Sequence, residues 1–102
     1  MIVYNISVKL NSTIEKEWVQ WQQQEHIPEV MASGQFIDHK FYKLLELADD
    51  EDTATYIVQY FAKSIDRYHH YIKHAAPVLR QKALDKWGNQ FIAFRSVMQS
   101  VH

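Results

Sequence analysis

The sequence predicts an α+β domain with the order β-α-β-β-α-β, its four strands forming one antiparallel sheet and its helices lying on a single face. Three observations carry this. Four segments alternate apolar and polar side chains or are dense in β-branched and aromatic residues. Two longer segments repeat apolar groups at helical spacing. A short acidic run joins the middle two strand segments and makes them an antiparallel hairpin.

In segment 2–10, Ile2, Tyr4, Ile6, Val8 and Leu10 alternate with Val3, Asn5, Ser7 and Lys9, so the strand has one strongly apolar face and one half-polar face. Asn11, Ser12 and Thr13 are helix-start residues, because a short side-chain oxygen can serve orphan N–H groups. Ile14, Trp18 and Trp21 then form a helical stripe on which Glu25 also falls. Pro28 removes a backbone donor and should kink or restart the helix near His26, and Ile27, Val30 and Met31 lie off the first stripe. Gly34 suits the stop. Segment 36–47 reads as a second strand with imperfect alternation, 48–52 as a polar turn, and 53–62 as a third strand. Ser64 can cap a second helix whose stripe is Ile65, Tyr68, Ile72, Ala76, Leu79 and Ala83. Pro77 sits off that stripe, which predicts one kinked helix or two nearly collinear pieces, ended by Gly88. Segment 90–98 is the fourth strand.

Right-handed crossovers in both β-α-β halves put the two helices on the same face, which is the ferredoxin-like layout. At 102 residues the chain is expected to be one domain spanning 1–102. Three Trp, six Tyr and five Phe are more aromatic surface than one small core hides. The sheet face without helices therefore predicts a homodimer through that open face, two sheets covering one another.

Composition excludes several classes. Eleven Lys and Arg against twelve Asp and Glu leave a net charge of -1 without basic clustering, so no nucleic-acid partner is expected. The absence of cysteine excludes disulfides, thiolate metal sites and Cys nucleophiles, and it suits a reducing cytoplasm. No apolar run approaches the roughly 20 residues of a membrane span. The N-terminus opens directly on a strand pattern, so no signal peptide is expected either.

The opening MIVYNISVKL, EHIPEV at 25–30, QYF at 59–61, HAAPVLRQKAL at 74–84 and the closing WGNQFIAFRSV at 87–97 resemble an uncharacterised bacterial family, a domain of unknown function within the dimeric α/β barrel superfamily. The resemblance implies a dimeric ferredoxin-like fold. It also implies the range of that superfamily: cofactor-free monooxygenases, lactone isomerases, haem-degrading enzymes and small ligand-binding domains. A fold reused this widely does not transmit an activity.

Four constellations could carry chemistry. If Asn5 and Ser7 point away from the helices, the fourth strand is expected to add Phe91, Ala93, Arg95 and Val97 to the same side. The hairpin strands would add Thr55, Ile57, Gln59, Phe61 and His39. Asn5, His39, Gln59 and Arg95 are then the few polar groups of an apolar ligand site, with Arg95 suited to a carboxylate or enolate or else to an acid across the dimer. Glu25 and His26 beside Pro28 form the second: either a desolvated acid-base pair or a brace for the broken helix. The third is His69, His70 and His74, of which the last two share a helix face; two ligands make no site, and no metal is expected. The fourth is Asn5 with His74. In haem-degrading members of the superfamily an Asn on the first strand, a Trp on the third and a His on the second helix surround haem, and the third strand here has no Trp. Trp18, Trp21, Tyr68 and Trp87 read as core.

The leading expectation is a homodimeric small-molecule-binding protein without a cofactor, its pocket between sheet and helices with Arg95 and His39. The alternative is a cofactor-independent monooxygenase or isomerase using His26 or His39 as base, with Glu25 as a further catalytic candidate. Haem binding is the minor reading.

Overall fold

The computed structural model describes residues 1–46 and 52–101. The elements are β1 (Ile2–Asn11), a 3-10 turn (Ser12–Ile14), α1 (Glu15–Trp21), a π turn (Gln22–His26) and α2 (Ile27–Ala32). They continue with β2 (Asp38–Lys43), β3 (Thr53–Ala62), α3 (Ile65–His74), α4 (Ala76–Trp87) and β4 (Phe91–Gln99). The strands form one sheet in the order β2-β3-β1-β4, and every neighbouring pair is antiparallel. This is the ferredoxin-like α+β fold that the strand and helix order predicts.

The alternation in β1 sets the two faces. Ile2, Tyr4, Val8 and Leu10 are buried, and across the ladder they meet Ala62, Tyr60, Tyr56 and Ala54, also buried. Helical residues close over this side in two clusters. One gathers Ile27, Val30, Tyr71 and Leu79 on Tyr4 and Tyr60. The other gathers Ile14, Trp18, Trp21 and Trp87 on Val8 and Tyr56. Ile6 packs against both. Tyr56 ties α1 to the sheet by donating to Glu15 Oε2 at 2.6 Å, and Lys43 on β2 reaches the same carboxylate at 2.8 Å.

Among the described residues no helix lies on the opposite face. Its register makes three rows across the strands. Phe94, Ser7, Ile57 and Tyr42 form one row, Ser96, Asn5, Gln59 and Lys40 the next, and Met98, Val3, Phe61 and Asp38 the third. A polar row thus runs between two mostly apolar ones, and within it Gln59 Nε2 donates to Asn5 Oδ1 at 3.2 Å. Phe94 is 64% exposed and Ile92 55%, which leaves large apolar groups in water on this side.

The element ends follow the sequence in most places. Ser64 caps α3, its Oγ accepting from the Arg67 N–H at 3.3 Å. Gly34 and Gly88 follow α2 and α4 with φ of 77° and 60°, a region that penalises any Cβ. Ser64→Ala should lower stability by about 1 kcal/mol, the usual worth of an N-cap, read as a lower urea midpoint at unchanged slope.

Two expectations at the element ends are corrected. Asn11 makes no side-chain cap; the chain enters its first helix through the 3-10 turn instead. The second strand runs only over Asp38–Lys43, shorter than 36–47. The predicted turn at 48–52 lies outside the described residues except for Asp52. Around Pro77 the helix divides into α3 and α4 at Ala75, and Pro77 sits in the first turn of α4, where its missing N–H is harmless. No helix among the described residues is long and apolar enough to cross a membrane.

Candidate functional site

A cavity of about 60 Å3 lies between the sheet and the helices, where the two core clusters meet. Ile6 and Val58 form part of its floor, Trp21 and Val30 part of its roof, and Phe91 and Ala93 flank its β4 side. Its polar lining comes from Gln22 and His26 of the π turn, Arg80 of α4, Arg95 of β4, and Tyr4, Tyr60 and Tyr71. A water takes about 30 Å3 in the liquid, so the space is that of about two waters.

Gln22 faces inward because it stands four residues after Trp18 in α register, its N–H returning to the Trp18 carbonyl, and the π turn that follows explains why His26 does too. An α-helix continued from Trp21 would place Glu25 next on the buried stripe. Here the Ile27 N–H returns to the Gln22 carbonyl, five residues back, so the turn contains one residue more than an α turn. Pro28, which has no N–H to return to Gln24, follows at once. The phase slips by one residue, His26 takes the inward position, and its ring stacks on Trp21 at 4.7 Å between centroids. Glu25 is left exposed, so the expected desolvated carboxylate is not found; the wide turn has rotated it to the solvent side.

Electrostatics sharpen the picture. Burial lowers the His26 pKa from 6.5 to about 4; the carboxylate of Glu29 opposes that shift and the charge of Arg95 adds to it. The imidazole is therefore neutral near pH 7. Arg80 donates to Tyr4 Oη at 2.9 Å, which anchors one guanidinium at the cavity wall. Burial pushes the Tyr60 and Tyr71 hydroxyls up, so both stay protonated donors. Gln22 is 5% exposed, and its Oε1 and the Tyr60 hydroxyl have no hydrogen-bond partner among the described residues.

The structure separates the four polar residues expected to share one cleft. Asn5 and Gln59 lie together on the open face. Arg95 pairs with Ile6 and His39 with Tyr60, so both point to the helix side. The expectation that β4 shows Phe91, Ala93, Arg95 and Val97 to the open face is thus corrected: those residues pair with Leu10, Val8, Ile6 and Tyr4, and the open face receives Ile92, Phe94, Ser96 and Met98. His39 sits on edge strand β2, exposed and outside the cavity lining, whereas Arg95 is on the opposite edge strand. His70 and His74 are exposed with rings 4.4 Å apart, and among the described residues no group of three potential ligands assembles. Asn5 and His74 lie on opposite sides of the sheet, so one haem cannot touch both within a protomer. Trp21, read as core, is core and cavity roof together. Sequence reasoning missed Gln22 and Arg80. Arg80 stands beside Leu79 and between Ala76 and Ala83, on the edge of the apolar stripe, and Gln22 follows Trp21 directly.

The sheet order defines a ferredoxin-like α+β protein, and it has a cavity between its sheet and its helices. The chain belongs to the family described as domain of unknown function DUF4286, whose model matches residues 1–101. No curated protein matches it. Among solved structures it is similar to an ethyl tert-butyl ether (EthD) family protein from Bacillus halodurans, with 10% identity, 99% and 100% of the two chains covered and a TM-score of 0.68. It is similar also to SnoaB, a cofactor-independent oxygenase from Streptomyces nogalater, at 10% identity, 99% and 94% coverage and a TM-score of 0.61. A dimeric ferredoxin-like protein from an uncultured marine organism gives 13% identity, 100% and 96% coverage and a TM-score of 0.62. At such identities these likenesses show the fold.

Proposed function

We propose that the protein is a homodimer that binds a small organic anion between its sheet and its helices, the negative charge held by Arg95 and Arg80 beside His26. One observation carries the reading: a cavity with apolar walls has two guanidinium groups and an imidazole among its lining residues. Planar guanidinium groups favour carboxylates and enolates. The dimer rests on the open face. Four strands about 4.8 Å apart and about nine residues long span a face of roughly 500 Å2 in projection, the order that a standard interface needs from each partner. The lack of cysteine suits a reducing compartment, the cytoplasm.

Propionate, the simplest apolar carboxylate of the right size, is the first probe. Wild-type protein titrated with propionate should shift the Trp21 indole resonance. Arg95→Ala should weaken that binding at least about tenfold, the worth of a hydrogen bond to a charged group. The variant's mass in solution should remain twice 12.2 kDa. Phe94→Asp, on the open face, should instead yield lone protomers. Loss of the dimer on Arg95→Ala would assign that residue to the interface, and absence of propionate binding would remove the anion site.

A second reading has one observation behind it. A neutral imidazole beside arginines can take a proton from a carbon acid while the cation holds the enolate that forms. That would make the site a cofactor-independent isomerase or oxygenase, with His26 as base.

A further inference from the structure

Two of the cavity's polar groups are not explained by an anion. Gln22 Oε1 is an acceptor on a side chain 5% exposed, and it finds no donor among the described residues. The Tyr60 hydroxyl, on a residue 2% exposed, is equally without a partner there. Both residues line the cavity. Buried polar groups are paired in the great majority of cases, and an orphan is a demand on whatever fills the space. A bare carboxylate offers acceptors only, so it can answer Tyr60 and the arginines but not Gln22. A hydroxyl offers one donor and two lone pairs. A cavity of about 60 Å3 limits the part of the ligand that enters to a short chain.

We propose that the site selects a short hydroxy carboxylate: the carboxylate lies toward Arg80 and Arg95, and the hydroxyl donates to Gln22 Oε1 while accepting from the Tyr60 hydroxyl. The inference rests on the anion-binding reading above and adds what tells one anion from another. Gln22 acts as the selecting residue and the arginines as the general ones. A site built around a hydroxyl rejects the analogue that lacks it, because the protein groups are then left unpaired. The π turn serves this arrangement, since it brings His26 into the space that Gln22 already lines.

The test compares L-lactate with propionate, which differ by the hydroxyl alone, followed by the Trp21 indole resonance and by calorimetry. Lactate should bind at least about tenfold tighter to the wild-type protein, the factor of one well-made hydrogen bond. Gln22→Met, which keeps the length of the side chain and removes its oxygen, should bring the two ligands to within a factor of two. Tyr60→Phe provides a second variant should Gln22→Met unfold, and it should narrow the same gap. Equal affinities in the wild-type protein would overturn the selection while leaving the anion site in place. Failure of both ligands to bind would remove the anion site and this inference with it. An undiminished lactate preference in Gln22→Met would show that Gln22 does not recognise the hydroxyl.

Discussion

Trp18→Ala is expected to lower the free energy of unfolding by about 3–5 kcal/mol, the range for deleting a large buried aromatic. Trp18 is 1% exposed and packs on Phe41 and Tyr56 at 6.0 and 5.3 Å between centroids. It therefore joins α1 to both strands of the hairpin. The indole reaches further than its neighbours can collapse, because Tyr56 is fixed from its far end by Glu15. A domain of this size has about 5–15 kcal/mol to lose, so the variant should be close to unfolding at 37 °C. Urea denaturation followed by circular dichroism measures this. A loss below 1 kcal/mol would mean that the second core cluster does not hold α1 on the sheet.

Acidification should destabilise the protein between pH 6.5 and about 4, by about 3 kcal/mol in total from His26 alone, taking 1.36 kcal/mol per pKa unit. The sign follows from proton counts. In this window the unfolded chain carries a proton on His26 and the folded chain does not, so the unfolded state binds more protons and stability falls as pH falls. Above 6.5 neither state holds the proton and the contribution is flat. His26→Gln should remove the slope in this window. Glu15, held below its ordinary 4.5 by Lys43 and then Tyr56, adds its own loss once the pH falls below about 4.5. Unfolding free energies of wild type and His26→Gln from pH 4 to 8 separate the two groups. A wild-type curve that is level across the window would show His26 to be hydrated in the folded state.

The sequence made the fold legible where one face was apolar and the other was not. β1 and β3 alternate without interruption, and their predicted limits agree with the strands to within a residue. β4 has Phe91, Ala93 and Val97 on one parity and Ile92, Phe94 and Met98 on the other, so both faces are apolar and period two identifies the strand without orienting it. The ladder to β1 decides it, and the decision moved Arg95 from the open face into the cavity. In the same way His39 could be placed on a strand, but only the pairing of Phe41 with Val58 fixed which side it occupies. The guanidinium of the proposed anion site was thus visible as a residue type in Arg95 and hidden as a position.

The π turn hid the rest. Periodicity extrapolates at 3.6 residues per turn, and it carried Glu25 along the stripe of Trp18 and Trp21. Pro28 signalled a break and could not say that the break would be a widening. The signal for Gln22 was its place four residues after Trp18, at the edge of the buried stripe, where a polar side chain reads as the border of the apolar face.

Were the stretch 22–26 wound as an ordinary α turn with its sequence unchanged, the stripe of Trp18 and Trp21 would bring the Glu25 carboxylate where the imidazole now stands. The cavity would then hold its own anion against Arg80 and Arg95, and an acidic visitor would meet neutralised arginines and a like charge. The winding of a single turn, with no change of side chain, thus sets the charge that this chamber carries.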